Sequence, residues 1–95
     1  MSNTKLNPDQ KSDLKALRAC QPDFKFENNG VTTVVYREAG NTVEFTLSVA
    51  SPNEKKFRAK VGEYYARMRA DSGETVKMLK NDFYNMLVCM DIYTE

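Results

Sequence analysis

The sequence contains no histidine and no tryptophan, and the missing histidine limits its chemistry most. Histidine is the commonest metal ligand and a frequent general base. Without it, neither a zinc site nor a serine–histidine triad is expected. The acidic residues form no convincing acid–base pair, and no phosphate-binding loop or G-x-S-x-G motif occurs. We therefore predict a non-enzymatic protein that uses no metal and no cofactor.

Cysteines and long apolar runs are also scarce. Cys20 and Cys89 are far apart and form no CxxC motif, which predicts two free thiols in a reducing compartment and leaves a disulfide between them open. The longest apolar run is too short to span a bilayer, and residues 1–5 lack the apolar core of a signal peptide. These features predict a cytoplasmic protein with no membrane contact.

The residues that are present are typical of a small globular protein. With 95 residues, 41% hydrophobic and 28% charged, the chain is predicted to form one domain over 1–95, with residues 1–6 flexible. The net charge is +1, but it is unevenly spread. Residues 51–70 hold six basic and two acidic residues, whereas residues 71–95 hold two basic and five acidic ones. Such a split favours complementarity between helices or between subunits.

A β-hairpin over Val31–Val49 is the clearest tertiary signal. From Val43 to Val49, apolar and polar residues alternate, as in a strand with one buried face. Gly40-Asn41 suits a two-residue turn. That turn pairs Tyr36 with Phe45, Val34 with Leu47 and Arg37 with Glu44.

A shorter strand, Phe24–Glu27, is predicted before the hairpin, and Asn28-Asn29-Gly30 marks the turn between them. A two-residue loop would place Phe24 and Phe26 on the face of Val35. A three-residue loop would place both rings on the inner face with Val34, and we predict this second register.

Three helices complete the prediction. The first runs from Asn7-Pro8 to about Ala19, and the second runs from the capping box at Ser51–Glu54 to about Ala70. The bulky side of the second helix is expected to pack on the sheet, and its alanine and glycine side on another helix. The last helix is predicted over Glu74–Ile92. The predicted fold is α+β: a three-stranded antiparallel meander with helices packed on one face, in the order α-β-β-β-α-α.

The absence of catalytic motifs favours a function in protein–protein contact, as an adaptor, an inhibitor or a phage-type modulator. The last predicted helix has a second apolar side, formed by Tyr84, Val88 and Ile92. A small monomer has little surface left to cover this side, so the three residues are predicted to form a homodimer interface. An unknown protein partner, or packing on the first helix, would also cover them.

Nucleic-acid binding is the alternative prediction. The basic run over 54–60 reads by default as a solvated helix edge, but its lysines could also contact phosphates. The element order over residues 7–70 resembles the double-stranded-RNA-binding domain, whose last helix begins with phosphate-contacting lysines. The Gly-Pro-His loop of that family is absent, and Ala39-Gly40-Asn41 stands in its place. The candidate contact residues are Lys55, Lys56, Lys60 and Arg67.

Overall fold

The computed structural model describes residues 6–50 and 58–92. Within these ranges the chain forms three helices, α1 (Pro8–Cys20), α2 (Ala59–Asp71) and α3 (Lys80–Cys89), and four strands, β1 (Lys25–Asn28), β2 (Thr32–Ala39), β3 (Thr42–Val49) and β4 (Val76–Leu79). The strands form one antiparallel sheet in the order β1-β2-β3-β4. No helix of the described ranges is long and apolar enough to cross a membrane. The α+β class and the antiparallel sheet are confirmed.

The fourth strand is a correction, because the sheet was predicted to have three. β4 lies along β3, with Val43 opposite Met78 and Phe45 opposite Val76. The order of elements is therefore α-β-β-β-α-β-α, and α3 begins at Lys80 instead of Glu74. The apolar spacing of this stretch suits a helix, but pairing with β3 and packing of Met78 on the core determine the outcome.

The central hairpin is confirmed in its register. Tyr36 lies opposite Phe45, and Val34 lies opposite Leu47. Gly40 has a φ angle of 64°, which glycine adopts without a steric cost. Arg37 lies opposite Glu44, on the face of the hairpin away from Tyr36 and Phe45, and the two side chains form an ion pair of 2.7 Å.

The register predicted for β1 is wrong. Phe26 lies opposite Val35 and Asn28 lies opposite Thr33, so four residues separate the two members of this last pair. Asn29 holds this wider turn, because its Oδ1 accepts hydrogen bonds from the backbone N–H groups of Val31 (2.9 Å) and Thr32 (2.7 Å). Phe26 consequently lies on the face of Val35, with the guanidinium of Arg67 5.8 Å from its ring centroid.

Helices cover both faces of the sheet, which corrects the prediction that they pack on one. The first face, here called the α3 face, carries a core cluster with Phe83, Leu87 and Ile92. The sheet residues of this cluster are Val34, Tyr36, Val43 and Phe45. On the opposite face, here called the α2 face, the buried sheet residues are Thr33, Val35 and Thr46. α2 contacts β2 and β3 on this face.

The orientation of α2 is also the reverse of the prediction. Its bulky residues Val61 and Tyr64 pack with Leu14 of α1 instead of the sheet. Its fully buried Ala66 belongs to the side that faces the sheet. The physical reason is size, because threonine and valine side chains on the sheet leave room for a helix whose near side is small.

The start of α2 differs from the prediction as well. Arg58 precedes the helix with an extended backbone (φ −123°, ψ 114°), so the predicted continuous helix is interrupted there. The predicted capping box at Ser51–Glu54 lies outside the described residues.

α1 follows its predicted bounds closely. Asn7 caps it, since its Oδ1 accepts from the Gln10 backbone N–H (2.8 Å) and the Gln10 Oε1 accepts from the Asn7 backbone N–H (3.0 Å). Leu6, which was predicted to be flexible, is buried beside Leu14 and Tyr64.

Asn7→Ala is expected to destabilise the protein by about 1 kcal/mol, because the Gln10 N–H loses its side-chain acceptor. Urea unfolding followed by circular dichroism measures the change. Ser12→Ala, at an exposed position of the same helix, is the matched control and should leave the midpoint nearly unchanged. Equal midpoints for both variants would contradict the cap.

Candidate functional site

The predicted interface residues Tyr84, Val88 and Ile92 do not form one exposed patch. Ile92 is buried in the core cluster of the α3 face. Tyr84 is half-buried against the same cluster, and its hydroxyl donates a hydrogen bond to the carboxylate of Glu38. Val88 alone is largely exposed. The reason is that, among the described helices, only α3 covers this face of the sheet, so its apolar residues are used within the chain.

The hydroxyl of Tyr84 is bound to the Glu38 carboxylate of β2. The hydrogen bond from Tyr84 lowers the pKa of Glu38 below its usual value, and the nearby charge of Lys80 acts in the same direction. The Lys80 Nζ lies 3.7 Å from Glu38. Tyr84 is therefore held at the sheet by contacts within its own chain.

The predicted nucleic-acid contacts are only partly placed. Lys55 and Lys56 lie outside the described residues, and Lys60 is exposed on α2. Arg67 is 5% exposed and forms an ion pair with Glu63 of 2.7 Å, so its guanidinium is not presented to solvent. Nucleic-acid binding stays a prediction, and among the described residues only Lys60 offers it an exposed charge from the named set.

A polar cluster around the buried Glu63, which was not predicted from the sequence, joins α1 to α2. Glu63 accepts two hydrogen bonds from Arg18 (2.8 and 2.5 Å) and one from Arg67 (2.7 Å). Gln21 donates to the Arg67 carbonyl (3.0 Å), and its own carbonyl accepts from the Arg67 guanidinium (3.3 Å). The spacing of Glu63 and Arg67 by four residues on one helix was the available signal.

The charge state of Glu63 follows from its partners. Burial by itself raises the pKa of this carboxyl, but the hydrogen bonds from Arg18 and Arg67 outweigh it and leave the pKa below its usual value. The same contact raises the pKa of Arg18. The cluster is an ion-paired network between two helices, and its role in this structure is to fix α1 on α2.

The two edges of the sheet differ in character. β1 has the sequence Lys-Phe-Glu-Asn, which is mostly polar. β4 has the sequence Val-Lys-Met-Leu, and both Val76 and Leu79 are more than half exposed. No strand of the described residues pairs with the outer side of β4. An edge strand with exposed apolar side chains is a ready template for pairing with another chain.

A second surface lies between α1 and α2 on the outside of the molecule. Here Leu17, Tyr64 and Met68 form a groove of about 340 Å³, with Asp13 and Asp71 in its lining. Met68 is 42% exposed, which is high for an apolar residue beside a packed helix pair. This groove was not predicted from the sequence, because the bulky side of α2 was expected to pack on the sheet.

No described group of histidine, cysteine, aspartate and glutamate side chains is arranged to hold a metal ion. Two surfaces of the described residues are candidates for macromolecular contact: the β4 edge and the α1–α2 groove. Comparison of the chain with protein-family models, curated proteins and solved structures gave no match.

Proposed function

We propose that this chain is a small non-enzymatic protein-binding domain that forms a homodimer through β4. The observation that carries the proposal is the exposed apolar edge of the sheet, where Val76 is 58% and Leu79 is 55% exposed. Exposed apolar residues on an unpaired edge strand mark a site of strand pairing. The two free, exposed cysteines support a reducing compartment, and we propose the cytoplasm.

A two-fold axis perpendicular to the sheet would place β4 antiparallel to β4 of a second copy. Each copy then satisfies the outward backbone N–H and C=O groups of the other, as in an ordinary antiparallel ladder. This arrangement keeps both copies of α3 on the same face of one continuous sheet. Two-fold contacts of this kind are the commonest form of soluble homo-oligomer.

The α3 surface supports self-association less well. Of the three residues predicted to form an interface on α3, Val88 is largely exposed, whereas Ile92 is buried and Tyr84 packs on the core. A single valine removes little apolar surface from water compared with what a stable interface needs. The dimer is therefore assigned to β4, and Val88 serves as the control position.

Light scattering at tens of micromolar protein tests the proposal. One chain has a mass of 10.9 kDa, so the native protein is expected at about twice that value. The double variant Val76→Glu/Leu79→Glu should fall to the mass of one chain. In a two-fold interface each substitution occurs twice, so like charges face each other across the edge.

Val88→Glu is the control, since it introduces a glutamate, one per chain against two in the double variant, at an exposed apolar position outside β4. It should keep the native mass. Circular dichroism must show that all variants are folded. A native protein with the mass of one chain would contradict the dimer, and dissociation by Val88→Glu alone would contradict its placement on β4.

A further inference from the structure

The α1–α2 groove has the chemistry of a binding site for a basic, apolar helix. Its apolar lining comes from both helices, with Leu17 on α1 and Tyr64 and Met68 on α2. Its charged lining is acidic, with Asp13 and Asp71, and no basic side chain is among the described residues that line it. Burial raises the pKa of the Tyr64 hydroxyl, and the negative charge of Asp13 raises it further.

The positions of the two carboxylates define the partner more closely. Asp13, on α1, lines the groove together with Tyr64 of α2. Asp71 follows Tyr64 by seven residues on the same helix, which corresponds to roughly 10 Å along the axis. Asp71 is also the last residue of α2, where the helix dipole adds further negative potential. Because Asp13 belongs to α1 and Asp71 ends α2, a partner helix needs two separate basic side chains to pair with both carboxylates.

We propose that the groove binds an amphipathic helix of another protein that carries two Lys or Arg residues with large apolar residues between them. The apolar residues of the partner cover Met68 and Tyr64, and its two basic groups pair with Asp13 and Asp71. This is the helix-in-groove mode of recognition, with charges at the rim that select the orientation. The site shares no residue with β4, so it goes beyond the proposed dimer and does not depend on it.

A phage-displayed library of random 16-residue peptides, selected on the native protein, tests the proposal. Enriched sequences are expected to carry two basic residues with apolar residues between them. They should lose binding to Asp13→Asn/Asp71→Asn. The control variant Asp23→Asn/Asp91→Asn changes the net charge equally at exposed positions outside the groove, and it should keep binding.

The two cysteines then locate the bound peptide. Cys20 is exposed and lines the groove, whereas Cys89 is exposed at the end of α3. With the most enriched synthetic peptide at ten times its Kd, alkylation of Cys20 should slow about tenfold, because only the free fraction reacts. Alkylation of Cys89 should keep its rate. Mass spectrometry of the two proteolytic fragments that contain Cys20 and Cys89 measures both rates.

Three results would overturn the proposal: no enrichment, enriched peptides without basic residues, or equal binding to the Asp13→Asn/Asp71→Asn variant. Protection of Cys89 instead of Cys20 would also overturn it. The proposed dimer can be measured separately on the same samples by light scattering. If the groove binds no peptide, the proposal of a β4 dimer is unaffected. If the protein proves to be a monomer, the proposal for the groove is likewise unaffected.

Discussion

Phe83→Ala is expected to destabilise the folded protein by about 3–5 kcal/mol. The ring of Phe83 is fully buried on the α3 face, with its centroid 5.1 Å from the ring centroids of both Tyr36 and Phe45. It thereby joins β2, β3 and α3 at one point. A protein of this length has a total stability on the order of 5–14 kcal/mol, so the variant approaches the limit of folding.

Urea unfolding followed by tyrosine fluorescence and circular dichroism measures this loss. Val88→Ala on the same helix is the control, because its side chain is largely exposed, and its midpoint should stay close to that of the native protein. If Phe83→Ala unfolds at the same urea concentration as Val88→Ala, the packing of α3 on the sheet is wrong.

Glu63→Ala is expected to have an effect of similar size, about 3–5 kcal/mol. The substitution leaves the buried guanidinium of Arg67 without its carboxylate and removes both hydrogen bonds from Arg18. Glu44→Ala is a useful comparison, because Glu44 pairs with the half-exposed Arg37 and accepts one hydrogen bond from Thr75 (2.6 Å), so its loss should be smaller, about 1–2 kcal/mol. Equal losses in the two variants would contradict a buried role for Glu63.

The same carboxyl predicts a pH dependence. The pKa of Glu63 is lowered in the folded protein, whereas in the unfolded chain it returns to about 4.3. Its stabilising contribution is therefore present above the unfolded pKa and is lost as the pH falls through the folded pKa. Urea melts at a series of pH values from neutral to acidic should show a smaller acid-induced loss for Glu63→Ala than for the native protein.

Local signals account for the parts of the fold that the sequence predicts correctly. Asn7, Pro8 and Gln10 together define the start of α1, and Gly40-Asn41 together with the alternation from Val43 to Val49 defines the hairpin. Each depends on residues close in sequence, which is why one chain without further information is enough to predict them.

The errors arise where distant contacts decide. β4 exists because β3 offers a partner edge, which no local pattern around Val76 reveals. The face covered by α2 depends on the small size of Thr33 and Thr46, and the register of β1 depends on the side chain of Asn29 in the turn. Distant contacts also explain why Tyr84, Val88 and Ile92 do not form one exposed patch, because α3 alone, among the described helices, covers one face of the sheet.

The interface at β4 is tested most directly by NMR on a sample that mixes isotope-labelled and unlabelled chains. Isotope-filtered spectra report only the contacts between copies. Pairing of two copies through β4 predicts intermolecular cross-peaks that involve the backbone protons of Val76–Leu79, with none from Val88. A dimer whose intermolecular contacts arise from Val88 and the rest of α3, or a sample with no intermolecular contacts at all, would contradict it.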